Sequence, residues 1–128
     1  MDMTIDFSNQ LKATDADILM LELRNPTGQT EDYPDVCRQY ARRNPGTILV
    51  TAPYIRDDRV LMACLRADQE IVQPACFLPG AFRRYKKGED IAVFDTPFGS
   101  AAMAVFRDVF QPQYARLAAL RGCKILFC

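Results

Sequence analysis

Apolar positions recur in two rhythms along this chain, every second residue or in short unbroken runs in some stretches and every third or fourth in others, which predicts mixed α and β structure. Ile18-Leu19-Met20-Leu21 is an unbroken apolar run that closes on Glu22-Leu23 and then on Asn25-Pro26-Thr27-Gly28, the pattern of a buried strand entering a loop. Upstream, Phe7 and Leu11 fall four apart, so Ile5 to Ala13 reads as a short helix or an irregular lead-in. Thr30 is placed to cap a helix with Glu31, Asp32 and Pro34 in its first turn, Val36, Tyr40 and Ala41 on its apolar face, and Asn44-Pro45-Gly46 as its stop. Thr47 to Tyr54, Val60 to Arg66 and Glu70 to Pro74 read as strands of a meander, joined by polar turns. Leu78 to Asp90, with Pro79-Gly80, Gly88 and the cations Arg83, Arg84, Lys86 and Lys87, reads as a long loop with room for one helical turn. Ile91 to Thr96 and Ala101 to Phe106 are strands around the turn Pro97-Phe98-Gly99-Ser100. Pro112 opens a helix that runs through Leu117 and Leu120 to Gly122, and Lys124 to Cys128 is a last strand. An α/β sandwich, with sheets covered by helices, is the natural way to bury runs this apolar.

Composition narrows the chemistry. The 128 residues, 49% hydrophobic, suffice for one domain with a real core. Sixteen Lys and Arg balance sixteen Asp and Glu, so no global field draws the chain to nucleic acid or to anionic lipid. The longest apolar runs fall well short of the roughly 18 to 20 residues that span a bilayer, and Met1 to Asp6 lacks a basic segment followed by an apolar one. No membrane association and a cytoplasmic location are therefore expected. The sequence contains no histidine, which removes Ser-His-Asp and Cys-His nucleophile activation and every His-containing zinc site. Cys37, Cys64, Cys76, Cys123 and Cys128 are odd in number and form no Cys-x-x-Cys pair, so they read as buried or half-buried free thiols, with neither a metal nor a cofactor expected.

Three stretches in order carry a resemblance: Ala16-Asp17-Ile18-Leu19-Met20-Leu21-Glu22-Leu23, then Phe94-Asp95-Thr96-Pro97-Phe98-Gly99, then Tyr114-Ala115-Arg116-Leu117-Ala118-Ala119-Leu120-Arg121-Gly122. Together with Leu78-Pro79-Gly80, Arg83-Arg84-Tyr85 and Gly88-Glu89-Asp90 between them, they resemble the nitrilase (carbon-nitrogen hydrolase) superfamily over almost the whole chain. The resemblance implies an α-β-β-α sandwich containing a mixed sheet with a β-meander, and a site built from a Glu general base, a Lys that steadies the tetrahedral intermediate and a Cys nucleophile. Glu22 falls on the general-base position. Matching Pro74-Ala75-Cys76-Phe77-Leu78 to the family's lysine segment puts Ala75 in the lysine's place, and matching Val105-Phe106-Arg107-Asp108 to its nucleophile segment puts Phe106 in the cysteine's place.

Two of the three catalytic groups are thus absent, and Phe106, Phe82 and Phe77 are expected to plug the pocket and leave Glu22 protonated, hydrogen-bonded or paired with a cation such as Arg107. The expectation is a catalytically inactive relative acting as a structural or regulatory interaction module. The alternative is an amidase-type carbon-nitrogen hydrolase with a non-standard nucleophile, Cys76 being the candidate, or with a site completed by a second chain. Arg83 and Arg84 are a weaker candidate, for binding an anionic ligand. A complete family domain is about twice this length. Residues 1–128 are therefore expected to form a single nitrilase-like domain, about half of the family's and incomplete at both ends. Its sheet edges would need covering by another copy or by a complementary protein chain.

Overall fold

The structure is a computed structural model, and it describes residues 16–21, 31–78, 80–105 and 107–128. The lead-in expected over Ile5 to Ala13, the cap at Thr30, and the positions Glu22 and Phe106 lie outside the described residues. In chain order the elements are β1 (Ile18–Met20), α1 (Tyr33–Arg43), β2 (Ile48–Val50), β3 (Tyr54–Arg56), β4 (Arg59–Arg66), β5 (Gln69–Pro74), a 3₁₀ turn at Gly80–Phe82, β6 (Phe94–Thr96), β7 (Gly99–Met103), a second 3₁₀ turn at Asp108–Phe110, α2 (Pro112–Leu120) and β8 (Ile125–Phe127).

Among the described residues the strands form two sheets. In the first, β1 lies parallel to β2, β2 and β3 follow one another along one edge of β4, and β5 takes the other edge. In the second, β6 and β7 make an antiparallel hairpin and β8 joins β7 in parallel. Side-chain alternation along β4 assembles the layers. Val60, Met62 and Cys64 face the second sheet, in one core with Ile48, Val50, Phe94, Ala101, Met103, Val105 and Phe127. Their neighbours Ala63 and Leu65 face the other way, onto Tyr33, Cys37, Tyr40 and Ala41 of α1. Ala102 and Ala104 turn away from the inter-sheet core and meet Tyr114 and Ala118 of α2. The order of layers is helix, sheet, sheet, helix, the α-β-β-α sandwich. Because β2, β4 and β7 are covered on both faces, their sequences are continuously apolar rather than alternating.

The helices form for local reasons. Tyr33, Cys37, Tyr40 and Ala41 recur at intervals of four, three and one, a single inward stripe, while Asp35 near the start and Arg42 and Arg43 near the end suit the helix dipole. Asn44 ends α1 by donating both its backbone N–H and its side-chain Nδ2 to the Tyr40 carbonyl, at 3.0 and 2.9 Å. Pro112 starts α2, and Gly122, at φ +89°, lets Cys123 N–H reach the Ala118 carbonyl at 3.0 Å and close the last turn.

Four expectations are corrected by the structure. The run Thr47 to Tyr54 is two short strands, because four steps from Val50 to Tyr54 are matched by three from Cys64 to Leu61 on β4. The extra residue is absorbed at Thr51, whose N–H donates to the Ala63 carbonyl while its Oγ1 accepts the Ala63 N–H, as in a β-bulge. The turn between β6 and β7 is the tight pair Pro97-Phe98, with Gly99 and Ser100 already paired to Thr96 and Asp95. In the first apolar run Ile18 and Leu19 are half-buried and Met20 is exposed, since β1 pairs only β2 among the described residues, whereas Leu21 is buried as expected. Cys128 is exposed, whereas Cys37 and Cys64 are buried and Cys76 and Cys123 half-buried, all five as free thiols.

The long loop after β5 is tied down by its backbone. Ala75 N–H donates to the Val60 carbonyl, Lys86 N–H to the Asp58 carbonyl and Gly88 N–H to the Ala75 carbonyl, at 2.8, 2.7 and 2.7 Å. The last contact brings Gly88 so close that a Cβ there would stand 3.0 Å from the Pro74 carbonyl oxygen and 3.1 Å from its ring. Gly88→Ala is expected to cost about 1 to 2 kcal/mol through this overpacking, read as a lower urea midpoint at unchanged slope.

Candidate functional site

The matched positions are carried by three connections: the end of β1, the segment that leaves β5, and the segment that leaves β7. Leu21 N–H donates to the Val50 carbonyl at 2.9 Å, extending the β1 and β2 pairing up to the residue before Glu22. Ala75 directly follows β5 and is fully buried within the inter-sheet core. Val105, which precedes Phe106, is fully buried in that same core, while Arg107 on the other side of Phe106 is exposed with its guanidinium 5.9 Å from the Phe110 ring centroid. The fold therefore brings the lysine-position segment and the nucleophile-position segment together. Among the described residues, Ala75 belongs to the apolar inter-sheet cluster that also holds Val60, Leu78 and Val105.

The polar link between the two segments is Asp108, which the sequence reading did not single out. Its carboxylate is fully buried; one oxygen accepts the Cys76 N–H at 2.9 Å and the other accepts the Phe77 N–H at 2.7 Å. Burial pushes this carboxyl above its ordinary value, against the pull of the backbone N–H groups. A signal was available: Asp108 is the acidic residue of the Val105 to Asp108 segment, set between an apolar strand and a helix-starting proline. Gln73 plays a comparable part nearby, donating Nε2 to the Pro74 and Asp90 carbonyls at 2.9 and 2.8 Å and accepting the Ala92 N–H at 2.8 Å.

Cys76, the alternative nucleophile, is half-buried, and its surroundings suppress the thiolate. Burial comes first, then the carboxylates of Asp108 and Asp90, and together they push the thiol from 9.0 up to about 11. The shift lowers the thiolate fraction at neutral pH by about a hundredfold. Alkylation of Cys76 by iodoacetamide, followed by mass spectrometry, is expected to stay slow until pH rises toward about 11, after that of exposed Cys128. Rapid modification of Cys76 at pH 7 would contradict this.

Two of the expected pocket plugs are described. Phe82 is half-buried and packs against the inter-sheet core, with its ring 6.1 Å from that of Tyr85. Phe77 is exposed and is not a plug, because Asp108 holds its backbone while its side chain turns to solvent. Arg83 and Arg84 are both exposed, and Arg84 folds onto its own neighbour, 5.0 Å from the Tyr85 ring centroid and donating to its hydroxyl at 2.9 Å. Among the described residues there is no group of three or more metal-ligating acidic or cysteine side chains, and no helix is long and apolar enough to cross a membrane.

This layering, with its β5 and β7 exits meeting at one end of the core, is the fold of the nitrilase superfamily. It is seen, at TM-score 0.65 and 14% identity over 84% of this chain, in a CN-hydrolase superfamily protein of Xanthomonas campestris solved with an arsenic adduct in its active site. A mutant of the Nesterenkonia AN1 amidase, from the nitrilase superfamily, matches 77% of the chain at TM-score 0.65 and 20% identity. The glutamine-dependent NAD+ synthetase of Acinetobacter baumannii, solved with ADP, matches 94% at TM-score 0.68 and 16% identity. The chain spans 48%, 41% and 27% of those three proteins. No protein-family model and no curated protein matches the sequence.

Proposed function

We propose that the chain is a catalytically inactive nitrilase-type domain that serves as a structural or regulatory interaction module. The observation that carries this reading is the environment of Ala75, a methyl group fully enclosed by the inter-sheet core where the resemblance requires a lysine. An ammonium group at that point would be buried among apolar side chains. The raised thiol of Cys76 argues in the same direction, since burial and the negative charges of Asp108 and Asp90 disfavour the thiolate that would have to attack. In this reading residues 1–128 are one domain that carries part of the sandwich, and the free cysteines fit a reducing, cytoplasmic setting.

The module assembles with another copy or with a complementary chain. Support comes from strand edges and exposed apolar groups: among the described residues β8 pairs only β7 and β5 pairs only β4, and Phe110 and Leu120 are 69% and 75% exposed. Hydrolysis of a panel of aliphatic and aromatic amides and nitriles is expected to show no turnover above buffer. Turnover that disappears in Cys76→Ala would instead establish a hydrolase with a displaced nucleophile. Light scattering is expected to give a mass above the 14.5 kDa of one chain, or to do so once a complementary chain is added. Strict monomers at every concentration, with every candidate chain, would remove the assembly half of the proposal.

A further inference from the structure

The two helices that close the sandwich present opposite surfaces. On α1 the exposed residues are Asp35, Gln39, Arg42 and Arg43, all of them polar, as a helix lying between a sheet and water requires. On α2 only Tyr114 and Ala118 are buried, yet the exposed residues include Ala115, Leu117, Ala119 and Leu120. A helix whose outward face is also apolar is built to be covered on both sides. The 3₁₀ turn leading into α2 continues this surface. Eight large apolar side chains are exposed among the described residues, and four of them, Val109, Phe110, Leu117 and Leu120, fall within residues 109–120. Phe77, a fifth, is held at the same place, since its N–H donates to Asp108, the residue before Val109. This clustering separates the patch from the singly scattered apolar groups that any surface carries. The charge around it has one sign. Arg107, Arg116, Arg121 and Lys124 are exposed, whereas the carboxylate of residues 107–124, Asp108, is buried and bonded to Cys76 and Phe77. Arg121 is paired with Asp90, and Arg107 lies over the Phe110 ring. Arg116 makes no ion pair among the described residues, and by helical spacing it stands between Ala119 and Leu120 in the outward face.

We propose that the second 3₁₀ turn and α2 form a docking surface for an amphipathic helix of a different protein, one whose apolar stripe is flanked by Asp or Glu. The stripe covers Phe110, Leu117 and Leu120, and a flanking carboxylate meets Arg116. A helix suits this face better than an extended strand, because the backbone of α2 is satisfied internally and only side chains are on offer. A second copy of the same face is a poor occupant. Symmetric pairing sets the same four cations against one another, with no unpaired carboxylate in the segment to separate them. The inference rests on the assembly half of the function proposed above, and names the face and the partner's chemistry.

The test selects helical peptides against the full chain, from a displayed library with a fixed leucine stripe and random flanks, and measures the winners by fluorescence anisotropy. Enriched flanks are expected to be rich in Asp and Glu. Leu117→Ser with Leu120→Ser is expected to weaken a winning peptide at least about tenfold. Arg116→Glu is expected to weaken it severalfold, and a peptide with Lys in place of the acidic flanks to recover the loss. All three side chains are exposed, so the variants keep the fold, which circular dichroism melts check. Winners without an acidic bias, or affinity unchanged in these variants, would overturn the proposal. A dimer of the free chain that light scattering shows to be lost in the double leucine variant would do the same, because the occupant is then a second copy. Slow thiol labelling of Leu120→Cys in the monomer also overturns it, since a segment of the chain itself then lies over the face. A complex with a complementary chain that ignores these variants removes the face and leaves the assembly reading standing, whereas absence of any complex or peptide binding removes both.

Discussion

Ala75→Lys is expected to destabilise the domain by about 3 to 5 kcal/mol and to lower its melting temperature by roughly 10 to 20 °C, without producing hydrolytic activity. The reasoning starts from burial. Ala75 has no exposed surface, its backbone N–H is fixed to the Val60 carbonyl, and its cluster consists of apolar side chains from both sheets. A lysine there would need space for three further methylenes and a counter-charge for its ammonium group. The buried carboxylate nearest along the chain contacts, Asp108, is already occupied by the N–H groups of Cys76 and Phe77. The pH dependence follows from the sign of the shift. A buried lysine has its folded-state pKa depressed, so the loss is present at neutral pH, reaches its full size only below the folded-state pKa, and shrinks as the solution becomes alkaline and the unfolded chain also gives up its proton. Circular dichroism melts at neutral and alkaline pH measure both effects. A variant melting with the parent at neutral pH would mean that Ala75 borders usable space, and the case for an inactive core would fail with it.

The sequence disclosed those parts of the fold that depend on local chemistry. The stop of α1 at Asn44, the hairpin carrying Pro97-Phe98, and the start and stop of α2 at Pro112 and Gly122 are each specified within a few residues, whereas the inward face of α1 was read only in part: Tyr40 and Ala41 lie on it, but Tyr33 and Cys37 complete it in place of the half-buried Val36. Relations between distant residues were less legible. Thr47 to Tyr54 looks like one strand because β-branched and apolar residues continue through it, and only the register against β4 shows the extra residue at Thr51. Phe77 looks like core by composition, yet its backbone is held by a carboxylate 31 residues later and its ring lies outside. The candidate site divides in the same way. Motif matching pointed to Ala75, but its burial in the inter-sheet core needed both sheets, and Asp108 was passed over because its value lies in two contacts across the chain.

Truncation of Asp108 is for that reason expected to be strongly destabilising although the side chain is small and polar. Asp108→Ala leaves the Cys76 and Phe77 N–H groups without their acceptor, a loss of about 3 kcal/mol, or roughly 10 °C in melting temperature. Asp108→Asn is expected to fall between the two, because its amide oxygen can serve one N–H while its NH₂ group faces the other, donor against donor. The carboxyl also makes a pH prediction whose sign runs opposite to that of a salt-bridged aspartate. Its folded-state pKa is raised above the ordinary 3.8, so the folded state holds the proton more tightly than the unfolded chain. Stability contributed by that difference is present in acid and is lost as pH rises from the ordinary value through the folded one. The advantage of the native protein over Asp108→Asn is therefore expected to be larger near pH about 4 than at pH 7, since the variant has no proton to bind at this position. Urea titrations of both proteins at the two pH values give the comparison directly, and titration of all other groups cancels between them. An advantage that grows toward neutral pH would show instead that the two N–H groups outweigh desolvation and that Asp108 acts as a firmly ionised anchor.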